Sequence, residues 1–210
     1  MRNTFLTKTF RRGLAALTLF TLAGLAVLPA SADDKPKDSG SAQSMPVGRS
    51  ALAAAAVLLD QLKQAKDAPT AHDLEARIWA AWGSSGDAAI DKLVQQAAIL
   101  MQVQQYDESL AILDTVVAKA PEFAEGWNKR ATLLYIMQKL DRSMADIQKV
   151  LTLEPRHFGA IAGIGLISLA KGDKAGALSA YKKVLEINPQ NTGAQQSIDA
   201  LSKELQGNPI

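Results

Sequence analysis

The side chains that could perform acid–base or metal chemistry are few in this sequence. It contains two histidines, His72 and His157, and no cysteine. Neither histidine has a second histidine or an acid at a spacing that would aim both at one metal ion. The acids Asp107, Glu108 and Asp141 stand where helices are expected to begin, and negative charge there stabilises the helix dipole. The sequence therefore predicts no catalytic residue, no metal site and no cofactor.

Two further groups of residues could be taken for ligand sites. Trp79, Trp82 and Trp127 could form an aromatic cage, but their helical spacing favours positions in the core. Gly163 and Gly165 resemble the start of a phosphate-binding loop, yet they follow no strand and lie inside a helical pattern. Close packing of two helices explains these glycines better, so the sequence predicts that the protein is not an enzyme.

The composition predicts an all-α fold. The 210 residues are 48 % hydrophobic and 21 % charged, with 5 % aromatic residues. Alanine and leucine, which lose little on entering a helix, are abundant. Valine, isoleucine and threonine do not gather into alternating runs of strand length. No sheet is expected.

Residues 1–32 have the layout of a secretory signal peptide. Four basic residues precede an apolar run at 13–28, Pro29 ends the run, and Ala-Ser-Ala follows at 30–32. Cleavage is expected after Ala32, by the general secretory rather than the twin-arginine route. The alternative, a retained anchor, is disfavoured because a span needs roughly 20 apolar residues. We expect no membrane span after cleavage and a periplasmic location; release into the medium is the alternative.

Cleavage would change the electrostatics of the chain. The four bases of the signal peptide are not balanced by any acid, so their removal takes the formal net charge from +2 to −2. No basic patch then remains to favour a nucleic-acid partner. Residues 33–50 are rich in charge, Ser, Gly and Pro, and this composition predicts a disordered linker.

The remainder of the chain repeats itself every 34 residues. Pro121, Pro155 and Pro189 are spaced by this period, and a proline ends a helix because it lacks an amide donor. Small residues recur with the same period in two further slots: Ala97, Ala131 and Gly165, and then Ser109, Ser143 and Ala177. Each repeat is therefore expected to be a pair of helices that approach closely at the small residues and stack on the next pair.

This period and pattern resemble the tetratricopeptide repeat, or TPR. Trp127, Ala131, Tyr181 and the three prolines occupy slots typical of that family. The resemblance implies a right-handed α-solenoid with repeats at 90–123, 124–157 and 158–191. A degenerate first helix pair is expected at 51–89, and an amphipathic capping helix at 192–207.

The resemblance also implies a function. TPR proteins typically hold an extended or helical peptide on the concave face formed by their first helices. We therefore expect a non-catalytic scaffold or adaptor of the bacterial cell envelope, whose partner is another envelope protein or a peptide. The alternatives are a self-assembling structural protein and a cell-wall enzyme, and the number of subunits is left open.

The slots that point inward in the family give the candidate peptide-binding residues. They are Asp91, Gln95 and Gln102 in the first repeat, Asn128, Lys129, Thr132 and Tyr135 in the second, and Ala162 and Leu166 in the third. Some relatives have a Lys, Asn and Arg clamp for a C-terminal carboxylate, but Val94, Ala98, Gly159 and Gly163 occupy most of those places here. Replacing Asn128 and Lys129 by alanine is expected to weaken partner capture with little change in melting temperature.

Overall fold

The computed structural model describes residues 49–207, and the side chains of 53–206. All regular structure in this part of the chain is helical, which confirms the all-α prediction. Its helices are α1 (Arg49–Gln64), α2 (Ala68–Trp82), α3 (Ala88–Gln102), α4 (Tyr106–Lys119), α5 (Ala124–Ile136), α6 (Leu140–Leu153), α7 (Phe158–Ala170), α8 (Lys174–Ile187) and α9 (Thr192–Gly207). The predicted signal peptide and all but the last two residues of the predicted linker lie outside the described residues.

Three helix pairs, α3–α4, α5–α6 and α7–α8, follow one another along the chain. Each pair ends one residue before a periodic proline, at Ala120, Glu154 or Asn188. These three residues leave the helical region, with φ between −127° and −136° and ψ between 67° and 93°. A proline forces its predecessor into this extended region, so the three prolines terminate α4, α6 and α8.

The small residues lie where the two helices of a pair approach each other. The Ser109 hydroxyl donates to the Ala97 carbonyl at 2.9 Å, and the Ser143 hydroxyl donates to the Ala131 carbonyl at 2.7 Å. All four residues are buried. The serine therefore satisfies its own hydroxyl while keeping the helices close, as the periodic pattern predicts.

Charged groups join neighbouring pairs around α5. Arg130 donates from Nε and Nη2 to both oxygens of Asp146 and from Nη1 to Asp114, each at 2.8 Å. Its guanidinium also lies 4.8 Å from the Trp127 ring centroid. Arg130 thus connects α4, α5 and α6, and fixes the orientation of α5.

The first two helices are packed differently from the repeats. Leu59, Leu62 and Ile78 belong to one apolar cluster with residues of α7, α8 and α9, among them Phe158 and Tyr181. In the contact pattern, α1 lies against α2 and α8, whereas α3 lies against α4 and α5. We call α1 and α2 the N-terminal hairpin. The prediction of a degenerate repeat stays a prediction, but the hairpin's packing is not that of a repeat preceding α3.

The exposure of α3 agrees with this arrangement. Ile99 and Val103 are each 60 % exposed. Leu133 and Ile167, one and two periods after Ile99, are 0 % and 1 % exposed because a preceding helix pair covers them. The side of α3 that would receive a preceding pair is therefore open.

The turn inside each pair contains a left-handed residue at the same slot. Gln104 and Gln138 have φ of 61° and 59°, and Gly172 has φ of 80°. Residues other than glycine are disfavoured in this region by roughly 1–2 kcal/mol. Gln138→Gly is therefore expected to raise the free energy of unfolding by about 0.5–1 kcal/mol in urea titrations, after allowance for the greater freedom of glycine in the unfolded chain. Gly172→Gln is the matched control and should lower it; equal stabilities would refute the left-handed turn.

Candidate protein-binding surface

We define the first-helix face as the side of α3, α5 and α7 that carries the nine residues predicted from the sequence. These three helices are neighbours, with α5 between the other two. The nine positions lie on the first helix of each successive pair, several of them at corresponding points of the 34-residue repeat. Their side chains differ in how exposed they are. The N-terminal hairpin covers the face at its α7 end, while Gln95 and Gln102 on α3 and Lys129 on α5 are open to solvent.

The open part of the face is polar and nearly uncharged. Gln95 and Gln102 are exposed on α3, and the Lys129 side chain on α5 is 41 % exposed. Thr132 is half-buried and donates its hydroxyl to the Asn128 carbonyl at 3.0 Å. These side chains can exchange hydrogen bonds with a bound backbone, but they do not form a cluster of positive charge.

Other predicted residues serve the protein's own structure. Asp91 accepts hydrogen bonds from the Ser85 amide at 2.8 Å and the Ser85 hydroxyl at 2.6 Å, and so orders the turn before α3. Ala162 packs against the apolar cluster shared with the hairpin. Leu166 and Tyr135 are half-buried, and burial raises the pKa of the Tyr135 hydroxyl. The candidate set therefore divides into open and structural positions.

Glu125 is the centre of a buried polar cluster beneath the face. Its carboxylate is 2 % exposed and accepts from Lys129 Nζ at 3.0 Å and from Asn128 Nδ2 at 2.9 Å. His157 Nε2 lies 3.2 Å from the same carboxylate. Three donors thus compensate one buried charge, and we call these four residues the Glu125 cluster.

The hydrogen bonds of His157 determine its tautomer. His157 is the N-cap of α7, and its Nδ1 accepts from the Ala160 amide at 3.1 Å. Because Nδ1 accepts, the ring proton is on Nε2 and is donated to Glu125. Trp82 stacks on the imidazole, with centroids 4.0 Å apart and planes 12° from parallel. Both ring nitrogens are engaged, so His157 acts as a connector between α5, α7 and the hairpin.

The charges around Glu125 control its ionisation. Burial alone would raise the pKa of the carboxyl, but the Lys129 ammonium and the His157 hydrogen bond outweigh burial and lower the pKa to about 2. Glu125 in turn raises the pKa of Lys129. A carboxylate with so low a pKa is a poor general base near neutral pH. The Glu125 cluster is suited to holding structure.

The lowered pKa of Glu125 implies a dependence of stability on pH. A carboxyl whose pKa is lower in the folded than in the unfolded protein stabilises the fold above its ordinary pKa and loses this contribution as pH falls. We expect the free energy of unfolding to drop between about pH 5 and pH 2 in urea titrations. Glu125→Gln should flatten this part of the profile; an unchanged slope in that variant would contradict the assigned pKa.

Two residues at the junction of α6 and α7 are buried, although the junction follows a helix-ending proline and a turn there is usually exposed. His157 is 0 % exposed and Phe158 is 4 % exposed. The period contained the missing signal, because Phe123 stands one period before His157 and is also buried. The role of Glu125 had no comparable signal, since its partners depend on how α7 and the hairpin meet α5.

Two searches of the described residues bear on other kinds of site. In 49–207, no group of three or more His, Cys, Asp or Glu side chains is arranged to hold a metal ion. Among the helices of that same part of the chain, none combines the length and the apolar character that a membrane crossing requires.

Comparisons with known proteins agree with the repeat geometry. A family model described as tetratricopeptide repeat matches residues 124–157 and 159–191. A TPR repeat-containing protein of Rhizobium etli is 37 % identical over 151 residues, which cover 72 % of this chain and 74 % of the relative. The chain belongs to the tetratricopeptide repeat family. The recognition made from the 34-residue period is thereby confirmed.

Solved TPR structures show the same fold at low sequence identity. The Sgt2 TPR domain from Aspergillus fumigatus superimposes with a TM-score of 0.54 at 18 % identity, covering 59 % of this chain and 87 % of that domain. The first TPR of Spaghetti, solved with an HSP90 peptide, gives 0.53 at 20 % identity, covering 56 % and 93 %. These similarities confirm the helical-repeat fold.

Family membership also carries a general statement about function. TPR proteins generally mediate protein–protein interactions, and the family and these neighbours are mostly non-enzymatic scaffolds. The nine candidate residues on this chain stay predictions, because the comparisons concern the repeats and not individual side chains.

Proposed function

We propose that this TPR protein is a non-catalytic scaffold or adaptor that binds a segment of another cell-envelope protein on the α3 and α5 part of the first-helix face. One observation carries the proposal: the hairpin covers the α7 end, whereas Gln95, Gln102 and Lys129 remain open to solvent. A bound segment would therefore lie across the first two repeats and end at the hairpin.

The chemistry of the open part favours a segment of low charge. The Lys129 ammonium is already paired with Glu125, so it has little positive charge to offer a carboxylate. Glutamine and threonine side chains can hydrogen-bond to backbone amides and carbonyls of any sequence. An acidic C-terminal tail, such as the HSP90 peptide named for the Spaghetti domain, would find no clamp of basic residues on these positions.

Site-specific photo-crosslinking in living cells tests the proposal. A photoreactive residue at Gln95 or Gln102 should give an adduct of one defined mass. The matched control is Ala145, which is exposed on α6, outside the first-helix face. Adducts at Ala145 with equal yield, or none at Gln95 and Gln102, would refute binding on this face.

We also propose that the protein acts in the periplasm. Support comes from the layout of residues 1–32, with their basic start, apolar run and Ala-Ser-Ala ending. Mass spectrometry of protein recovered from the periplasmic fraction should show an N-terminus at Asp33. Protein found in the cytosol with residues 1–32 intact would refute export.

A second candidate function is self-assembly. The open side of α3 supports it, because Ile99 and Val103 are exposed where later repeats bury the corresponding apolar side chains. Burial of these two residues between two copies would remove apolar surface from water. Light scattering of the wild type and of Ile99→Gln should then show a dimer and a monomer respectively; a monomeric wild type would exclude this function.

A further inference from the structure

The N-terminal hairpin binds the α7 end of the first-helix face through two indoles on α2. The Trp79 ring lies 5.3 Å from the Phe158 ring, edge to face, and Trp82 stacks on His157. Gly159 lies directly under Trp79, so that a methyl group added there would be 2.5 Å from the indole. The absence of a side chain at Gly159 therefore makes room for the indole of Trp79.

Polar contacts surround these indoles. The Arg156 guanidinium donates to Asp60 at 2.5 Å and to the Ala56 carbonyl at 3.2 Å. The Asn188 amide donates to Glu75, which lies on α2 one turn before Trp79. An apolar centre with a polar rim is also the anatomy of interfaces that form between separate molecules.

A short connection joins the hairpin to the repeats. Five residues, 83–87, connect α2 to α3, and Gly86 among them has φ of 79°. Trp82 fits its position incompletely, because its Nε1 is buried and finds no acceptor among the described residues. An unsatisfied buried donor of this kind destabilises the state in which it is buried. The docked hairpin is therefore less stable than its apolar contacts alone would make it.

We propose that the α7 end of the first-helix face is a binding site for an amphipathic helix with two aromatic residues three positions apart, and that α2 is its resident intramolecular ligand. This inference deepens the proposed function and rests on it. The first aromatic ring lies over Gly159, and the second stacks on His157. An acidic residue four positions before the first ring, the place of Glu75, accepts from Asn188. A partner helix of this pattern displaces the hairpin and gains the part of the face that the hairpin covers.

The unsatisfied N–H group of Trp82 predicts which aromatic residue the site prefers in the second position of the partner helix. Phenylalanine has no N–H group, so a phenylalanine in the second aromatic position would stack on His157 without burying an unsatisfied donor. The site should therefore accept phenylalanine at least as well as tryptophan in that place. Alanine in both positions would remove the stacking and most of the buried area.

A labelled peptide with the sequence of residues 68–84 tests the site by fluorescence anisotropy. The peptide should bind the full mature chain at least tenfold more weakly than it binds the same chain with Trp79→Ala and Trp82→Ala, whose own hairpin no longer competes. A peptide with phenylalanine at the place of Trp82 should match or exceed the parent. A peptide with alanine at both aromatic positions is the control and should not bind.

Two further variants make the peptide-binding experiment interpretable even if the double alanine chain folds poorly. Gly159→Ala in the opened chain fills the space under the first ring and should weaken binding of the parent peptide by about five- to thirtyfold. If the double alanine chain loses helix content, the rim variant Asp60→Ala with Glu75→Ala opens the hairpin while keeping both indoles, and should bind the peptide more tightly than the wild type does.

The inference is overturned if neither opened chain binds the parent peptide, or if the alanine peptide binds equally well. Crosslinking at Gln95 separates this failure from failure of the proposed function. Adducts at Gln95 without peptide binding would leave the scaffold function and remove only the aromatic-helix site. Peptide binding without adducts would retain the site and refute binding on α3 and α5.

Discussion

Replacing Lys129 by methionine is expected to lower the free energy of unfolding by about 3 kcal/mol at pH 7, because it leaves a buried carboxylate without its cation. Lys129 Nζ lies 3.0 Å from Glu125, whose side chain is 2 % exposed. Methionine keeps much of the aliphatic stem of lysine, so the loss of stability reports the removal of the ammonium charge rather than the removal of packing. Asn128 and His157 still donate to the carboxylate. The expected loss of stability is therefore near the lower end of the range for a broken buried ion pair. Urea denaturation measures it.

The double variant Lys129→Met with Glu125→Gln is the control for this prediction. Glutamine can still accept hydrogen bonds from His157 and Asn128. Because its side chain is neutral, it needs no cation beside it. Most of the lost stability should therefore return. If Lys129→Met alone unfolds with the stability of the wild type, Lys129 is free for a partner, as the sequence analysis expected of this residue. The buried environment of Glu125 argues for the opposite outcome.

Gly159→Ala is expected to lower the free energy of unfolding by about 1–2 kcal/mol, since its new methyl group would overlap the Trp79 indole. The added carbon would lie 2.5 Å from Cη2 and 3.1 Å from Cζ2 of that ring. The indole is rigid and is held by Phe158 and Trp82, so relief requires displacement of the hairpin. Quenching of tryptophan fluorescence by acrylamide should rise in the variant.

Gly163→Ala, on the same helix, is the matched control. A methyl group there would meet the flexible end of Ile147 at 2.9 Å, and that end can move aside. Alanine is favoured over glycine in a helix interior by about 1 kcal/mol, and Gly163 is an interior residue of α7. Gly163→Ala should therefore be neutral or stabilising. Equal effects of the two substitutions would contradict the contact between Gly159 and Trp79.

The repeat itself was predictable from the sequence because its signals are local. A proline acts on the residue before it, and Ala120, Glu154 and Asn188 are extended for that reason. The buried serines Ser109 and Ser143 likewise bond within their own helix pairs. Such features need no knowledge of distant parts of the chain.

The position of the hairpin could not be predicted in the same way. The spacing of Trp79 and Trp82 shows that α2 has an apolar side, but two surfaces could cover it, the open side of α3 and the α7 end of the first-helix face. The aromatic contacts with His157 and Phe158 decide between them. For the same reason the structural role of Asn128 was missed, since its acceptor Glu125 also bonds His157, the N-cap of α7.

Nuclear Overhauser contacts of the two indoles test most directly whether the hairpin covers the α7 end and leaves α3 and α5 open. In the full mature chain, Trp82 protons should show contacts to the His157 imidazole, and Trp79 protons should show contacts to Phe158. Contacts from either indole to the methyl groups of Ile99 and Val103 instead would place the hairpin on α3, and would contradict the account.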